Sequence, residues 1–484
     1  IGSTSKQFTA FAIMLLAERG ELSLDDDVRE YIPELPDLGE TVTVRHILSH
    51  RSGYREFLNL LLMEGRRLDH GDFIDRSEII DIVQRQPALQ NSPGAEFNYN
   101  NTAFGLAAVI VERISGQDFH EFIEENVFGP LGMTRTMVRP SPEHIVEGKA
   151  EGYTPGPGGS FLVIGDLGGA VGAGGIYSTI GDLQKWIENY ANPTVGSPEI
   201  VQEMMTRNLL TNGDTTGYGL GLFIDEHRGL RRVHHGGADV AHRSQLAYYP
   251  EINAGITTQS NHAAFDGSIA FRLAEAFFAA DMEPEEEEEP AAGGEAFDPE
   301  SYDPEAFDEM AGRYALEEAP TFILTFTREG DTLFTQATGQ QRFEIVPTSD
   351  STFTLLAVEA SVTFHRDEEG EVNSLTLHQN GDHPANRLSD DEAAWEPGPE
   401  ELVAYTGRYF GEELETFYTV SLDEDHLVLK QRRREDADLT PGEEPDEFSG
   451  GGFEVSFERD RNGQVIAFYL ANTRTRGVRF ERIR

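Results

Sequence analysis

No cysteine occurs in the 484 residues, which removes disulfides, thiolate metal sites and cysteine nucleophiles together. Lysine is nearly absent: Lys6, Lys149, Lys185 and Lys430 stand against 34 arginines. No apolar run approaches the ~18 residues of a membrane-spanning helix; the longest, near Phe8–Ala17 and Leu106–Val111, fall short. No signal peptide is visible, and the first residue is Ile1 rather than Met, at the entrance to a helical pattern. Neither a G-x-S-x-G elbow nor a G-x-x-x-x-G-K-S/T loop occurs, and Gly217-Tyr218-Gly219-Leu220-Gly221 lacks the G-x-G-x-x-G spacing. An α/β-hydrolase elbow and the common nucleotide loops are thereby excluded.

What the chain has in excess is acid. Eighty-six Asp and Glu against 38 Lys and Arg give a formal charge of −48. Such a chain repels phosphate backbones and anionic lipid surfaces, so nucleic-acid and membrane-surface partners are not expected. Dense carboxylates with almost no lysine point to adaptation to high salt, where screening relieves self-repulsion. With 38% hydrophobic residues the chain can bury a core, and at about 150 residues per domain it holds two to four domains.

Helical spacing marks Phe8–Arg19, Thr102–Ile114 and Asp182–Tyr190, while Ser244–Tyr249 and Ala254–Thr258 read as strands. Residues 282–300, with five consecutive glutamates (Glu285–Glu289), read as an acidic linker between domains. Beyond it, short strand-like segments such as Thr321–Thr327 and Ser374–Leu377 predominate. Gly312-Arg313-Tyr314 recurs as Gly407-Arg408-Tyr409, and Phe364-His365-Arg366-Asp367 with Gly370 and Val372 recurs as Phe457-Glu458-Arg459-Asp460 with Gly463 and Val465. Two signatures in one order at nearly equal spacing predict a duplicated β domain, 301–396 and 397–484.

Three short constellations could carry chemistry. Ser3-Thr4-Ser5-Lys6 opens a helix, so Lys6 lies one turn beyond Ser3 on the same face. A neutral amine there can take the hydroxyl proton and make Ser3 a nucleophile, although Ser at a helix start is also an ordinary cap. Arginine stays protonated where a buried lysine does not, so a lysine kept here in a lysine-poor chain points to the amine. Tyr99-Asn100-Asn101 places a phenol and an amide two residues apart on a turn, where capping is the plainer reading. His234-His235-Gly236-Gly237-Ala238 enters a strand, and its glycines admit a substrate to the backbone. A metal reading competes through His234, His235, Asp239 and His242, or through His46 and His50 at helical spacing. No H-E-x-x-H accompanies either group, so no metal or other cofactor is expected, and His46 and His50 read as buried packing residues.

Taken in order, Ser3-x-x-Lys6, Tyr99-x-Asn101 and His235-Gly236-Gly237 resemble the three motifs of the penicillin-recognising serine hydrolases, in the branch of class C β-lactamases, D-alanyl-D-alanine carboxypeptidases, D-aminopeptidases and related esterases. Ile1-Gly2, Leu22–Asp27, Val44–Gly53, Gly129–Met133 and Gly174–Trp186 resemble that family too. The resemblance covers 1–281 and implies an α+β fold, an antiparallel sheet flanked by helices. The duplicated β domains resemble the lipocalin-like barrels appended to some members. Relatives carry a further N-terminal segment that adds strands to the sheet, so those strands are expected to be missing.

Carried over by motif, Ser3 is the nucleophile, Lys6 its base, Tyr99 the proton relay to the leaving group and Asn101 the positioning residue. The N–H groups of Ser3 and Ala238, beside Gly237, form the oxyanion hole. His235 stands where many relatives carry lysine, which weakens recognition of a β-lactam carboxylate; His234 remains the alternative for that position. The implied substrate is a small peptide, amide or ester, cleaved through an acyl-enzyme, and the implied location is extracellular or periplasmic. The oligomeric state is not legible. Two other readings stay open: a degenerate, non-catalytic domain carrying ligand-binding barrels, and a histidine-based metallohydrolase.

Overall fold

The computed structural model describes residues 1–68, 72, 74, 76–141, 143–169, 171–284, 297, 302–317, 319–337, 342–355, 360–367, 370–378, 382–388, 395, 397–442 and 444–483. Most of the expected acidic linker, including Glu285–Glu289, lies outside the described residues.

The helices form where apolar spacing and caps coincide. A 3-10 turn, Gly2–Ser5, leads into α1, Lys6–Glu18, which is buried from Lys6 to Leu16. A helix apolar on every side belongs inside a core. Helix α2, Asn101–Ser115, packs along α1; the Asn100 side chain accepts from the Ala103 N–H at its start. Gly116 ends it in the left-handed conformation at φ 70°. Helix α3, Ile180–Ala191, is capped by Thr179 and sends Trp186 against Phe8 of α1, with ring centroids 4.4 Å apart. Helix α4 spans Ile269–Phe278.

Four antiparallel strands make one sheet in sequence order: β1, Phe223–His227; β2, Leu230–Asp239; β3, His242–Tyr249; and β4, Ala254–Ser260. Side chains alternate between its faces. Leu246 and Tyr248 of β3 join the main core, while Ala247 and Tyr249 pack with Ala274 of α4. On β2 the odd positions Val233 and His235 face one way, and Arg232 and His234 face Phe271 of α4. This is the expected α+β arrangement of an antiparallel sheet flanked by helices.

The remaining strands close into two eight-stranded antiparallel barrels, each an up-and-down meander whose ends pair. The duplication read in the sequence is structural. Gly312 and Gly407 open the first strand of their barrels, and the following tyrosine hydroxyl donates four residues back, Tyr314 to Met310 O at 2.9 Å and Tyr409 to Tyr405 O at 2.6 Å. Arg366 and Arg459 each follow a β-bulge and donate to the carbonyl of a turn glycine, Gly370 and Gly463, both at 2.8 Å. The interiors are filled by rings: Phe364 meets Tyr314, Phe326 and Phe353, and Phe457 meets Tyr405, Tyr409 and Phe468.

The C-terminal barrel continues the core of the helical and four-stranded region, its Tyr418, Phe468 and Phe480 belonging to the same apolar cluster as Phe57 and Leu61. Polar ties cross the same seam. Arg55 pairs with Glu413 at 2.8 Å, both almost fully buried, and the Tyr418 hydroxyl donates to Met63 O at 2.8 Å.

Candidate active site

The Gly2–Ser5 turn is fixed against β2 by small residues. Gly2 holds φ 53°, and a Cβ there would stand 2.6 Å from Ala238 N. A Cβ on Gly237 would stand 1.9 Å from Ile1 O. Ser244 of β3 donates to Ile1 O at 2.7 Å, and the Thr4 hydroxyl meets Ser244 at 2.8 Å and donates to His235 O at 3.1 Å. Turn and strand are thereby held side by side, with Ser3, Gly237 and Ala238 at one edge of a cleft of about 550 Å³.

Lys6 enters from the first turn of α1 and is fully buried. Its Nζ lies 3.0 Å from Ser3 Oγ, 2.7 Å from Asn101 Oδ1 and 2.9 Å from Ala173 O. Burial pushes its pKa well below the ordinary lysine value; buried Glu56 pulls it up and Arg474 adds to the fall. Capping at the start of α2 belongs to Asn100, which leaves the neighbouring Asn101 amide for Lys6.

Tyr99 roofs the amine, whose Nζ lies 4.8 Å from the ring centroid, and its hydroxyl is turned toward Ser3. Burial raises the phenol pKa, and the Ser3 contact opposes it. The ring is wedged between His50 at 4.2 Å and a parallel Phe223 at 6.2 Å.

Of the two adjacent histidines, His235 lines the cleft. Its Nδ1 donates to Gly236 O at 2.6 Å, leaving Nε2 to accept from the Tyr218 hydroxyl at 3.0 Å. Burial, with Lys6 beside it, pushes its pKa down to about 3, so this position presents a neutral ring. His234 points to the opposite face and meets Asp225 at 3.1 Å.

The metal alternative does not assemble. His242 meets Ala150 O at 2.9 Å, Asp239 accepts from Leu167 N at 3.0 Å, and His234 is turned to Asp225. His46 reaches back to Thr43 N at 3.3 Å, and His50 accepts from Asn100 N at 2.9 Å while packing beneath Tyr99. Among the described residues no three His, Asp or Glu side chains converge on a metal-sized point.

Four cleft neighbours escaped the motif reading. Glu56 is buried with a raised pKa, caps a short helix through Asn59 N at 2.9 Å and interacts with the Asn101 side chain. Tyr218 and Phe223 wall the His235 side, and Arg474 arrives from the C-terminal barrel with its guanidinium 4.8 Å from the Tyr99 centroid. None sits in a recognisable spacing to the motifs, because each is brought in by tertiary packing. A second, larger cavity of about 850 Å³ lies along Thr134–Met137, Val146–Ala150 and Gln259–Asn261, and Ser3, Lys6 and Tyr99 are not among its lining residues.

The family model described as Beta-lactamase matches residues 1–279. The chain belongs to the Beta-lactamase family. This is a family of serine hydrolases, and the chain is 27% identical over 399 residues to a penicillin-binding protein of Bacillus subtilis (strain 168), covering 79% of this chain and 85% of that protein. It is 26% identical over 293 residues to a D-aminopeptidase of Gluconobacter oxydans, covering 58% of this chain and 53% of that protein. Among solved structures, the octameric penicillin-binding protein homologue from Pyrococcus abyssi superimposes with a TM-score of 0.54 at 25% identity, over 80% of this chain and 87% of that one. A D-stereospecific amidohydrolase from Streptomyces shares the β-lactamase-type fold at a TM-score of 0.50 and 23% identity, over 58% of this chain and 86% of that one. Residues 298–395, which include the first barrel, match a domain of unknown function, DUF3471.

Proposed function

We propose that this β-lactamase-family protein hydrolyses small peptide, amide or ester substrates through an acyl-enzyme on Ser3. The observation that carries the reading is the 3.0 Å contact between Ser3 Oγ and a fully buried Lys6 amine. A neutral amine has two N–H donors and one lone pair. The charged amine donates to all three oxygens, whereas in the neutral state that this reading requires Asn101 Oδ1 and Ala173 O take the two N–H donors and the lone pair faces Ser3 Oγ. That is the hydrogen-bond pattern of a base poised to take a proton.

The chemistry then balances. Ser3 Oγ attacks the carbonyl carbon as its proton passes to Lys6 Nζ, and the carbonyl oxygen gathers negative charge at the N–H groups of Ser3 and Ala238. Collapse breaks the bond to the leaving amine or alcohol, which takes its proton from Lys6 by way of the Tyr99 hydroxyl. Water, deprotonated by the same pair, attacks the ester, and its proton returns to Ser3 as the acid departs. Asn101 holds the amine in register throughout, and the neutral His235 supplies shape without charge.

The alternative of a non-catalytic support for ligand-binding barrels finds less to stand on, because both barrel interiors are occupied by aromatic side chains. The test is a panel of D-amino-acid amides, short-chain esters and β-lactams, assayed with Ser3→Ala as control. Turnover of at least one amide or ester that vanishes in Ser3→Ala supports the reading. Turnover that persists in the variant, or none across the panel, overturns it.

A further inference from the structure

The C-terminal barrel reaches the candidate active site with one side chain. Its strands Val465–Asn472 and Thr475–Ile483 pair through Asn472 and Thr475, so Thr473 and Arg474 form a two-residue tip. The tip is rigid by construction. Asn472 Oδ1 accepts from the N–H groups of Arg474 at 3.1 Å and Thr475 at 3.0 Å. The hydrolase domain grips the hairpin tip: Gln90 Nε2 donates to Arg474 O at 3.2 Å, and Glu56 N donates to the Thr475 side-chain Oγ1 at 3.1 Å. Arg55 Nε donates to Arg476 O at 2.9 Å, and Asn59 Nδ2 donates to Asn472 Oδ1 at 2.9 Å.

With its backbone held, the Arg474 side chain lies in the cleft that Ser3, Asn101 and His235 line, 4.8 Å from the Tyr99 centroid. Among the described residues its guanidinium has no hydrogen-bond or ion-pair partner in the protein, and the residue is exposed. The other charged groups of the cleft are differently placed. Lys6 is buried among three oxygens, Arg243 Nη1 donates to Val240 O and His242 O, and Asp239 accepts from Leu167 N. The Glu56 carboxyl, on which Arg474 acts only at a distance, is buried with a raised pKa and accepts from Asn59 N. The β2 position beside the glycines is a neutral histidine. A cation with a free planar fork of donors, in a chain of charge −48, is built to take a carboxylate in bidentate fashion.

We propose that Arg474 is a specificity-determining residue that anchors a free carboxylate on the leaving-group side of the substrate, so that the active site is shared between the hydrolase domain and the second barrel. The side is set by Tyr99: Arg474 stacks on the ring whose hydroxyl hands the proton to the leaving group. The preferred substrate therefore releases an amino acid, or another amine bearing a nearby carboxylate. The inference rests on the acyl-enzyme reading above.

The test uses the full chain and two substrates that differ only at the leaving end, an acyl-D-dipeptide with a free C-terminal carboxylate and its C-terminal amide. Wild type is expected to favour the carboxylate at least tenfold in kcat/KM, mostly through KM. Arg474→Ala lowers that ratio at least tenfold, Arg474→Glu reverses it, and Arg474→Lys restores part of it. No preference in the wild type, or a preference that survives Arg474→Ala, overturns the assignment. Fluorophosphonate labelling of Ser3 is read in parallel. A wild type that labels at Ser3 but shows no preference sinks this inference alone, whereas a wild type that never labels sinks the acyl-enzyme reading beneath it.

Discussion

Replacing Lys6 separates a base from a structural cap. Its Nζ stands within 2.7–3.0 Å of three oxygens in a site closed to solvent. Lys6→Met keeps the length of the stem and removes the amine. It leaves Asn101 Oδ1 and Ala173 O without donors, which costs about 1–3 kcal/mol for each orphaned buried acceptor. Part of this is offset because an amine no longer has to be desolvated. Lys6→Arg instead forces a permanent charge into the same space, where an uncompensated buried ion costs several kcal/mol. Both variants lose the lone pair facing Ser3 Oγ, so kcat should fall by about 10²–10⁴, the usual worth of a positioned general base. The stabilities should rank wild type above Lys6→Met above Lys6→Arg. Urea unfolding gives the ranking, and steady-state hydrolysis of the best substrate from the panel gives kcat. A Lys6→Arg variant that folds and retains activity within tenfold of wild type would refute the assignment of Lys6 as base.

His235 should leave a mark on stability against pH. Its pKa falls from 6.5 to about 3 on folding, so between those values the unfolded chain holds a proton that the folded one does not. Stability contributed by the neutral ring is present above 6.5 and is lost on acidification, by about 1.4 kcal/mol per pH unit. Comparing wild type with His235→Asn by urea unfolding at pH 7 and pH 4.5 should show a steeper loss in the wild type; equal slopes contradict this. Tyr99→Phe should fold normally and lose about 10²–10³ in kcat as the proton path to the leaving group is cut, and unchanged kcat would remove Tyr99 from the relay. Arg55→Ala should leave Glu413 buried and unpaired, destabilising the chain by about 3–5 kcal/mol; a shift below 1 kcal/mol in chemical denaturation would show that the barrel docks without that pair. The charge of −48 should make the melting temperature rise steeply between dilute buffer and molar salt, and full stability in dilute buffer contradicts adaptation to high salt.

The sequence disclosed the site where chemistry dictates local spacing. Ser3 and Lys6 meet because three residues make one helical turn, and the alternation of β2 decides between His235 and His234 once the strand is in place. Apolar spacing places helix edges to within two residues, Phe8–Arg19 against Lys6–Glu18 for α1 and Thr102–Ile114 against Asn101–Ser115 for α2. The barrel duplication was visible because each copy needs the same tyrosine tie and the same arginine on the same turn. Glu56 and Arg474 were not visible. Glu56 reads in isolation as one acid among 86, and its meaning comes only from burial beside Asn101 and Lys6. Arg474 lies 471 positions from Ser3, and no periodicity links a barrel hairpin to the cleft it enters.

The central claim is that Ser3 is an activated nucleophile. Intact mass of the full chain after treatment with a fluorophosphonate in molar salt, with peptide mapping of the product, tests it most directly. The account predicts a single adduct on Ser3, absent in Ser3→Ala and strongly slowed in Lys6→Met. A folded chain that takes no adduct, or takes it elsewhere, contradicts the account.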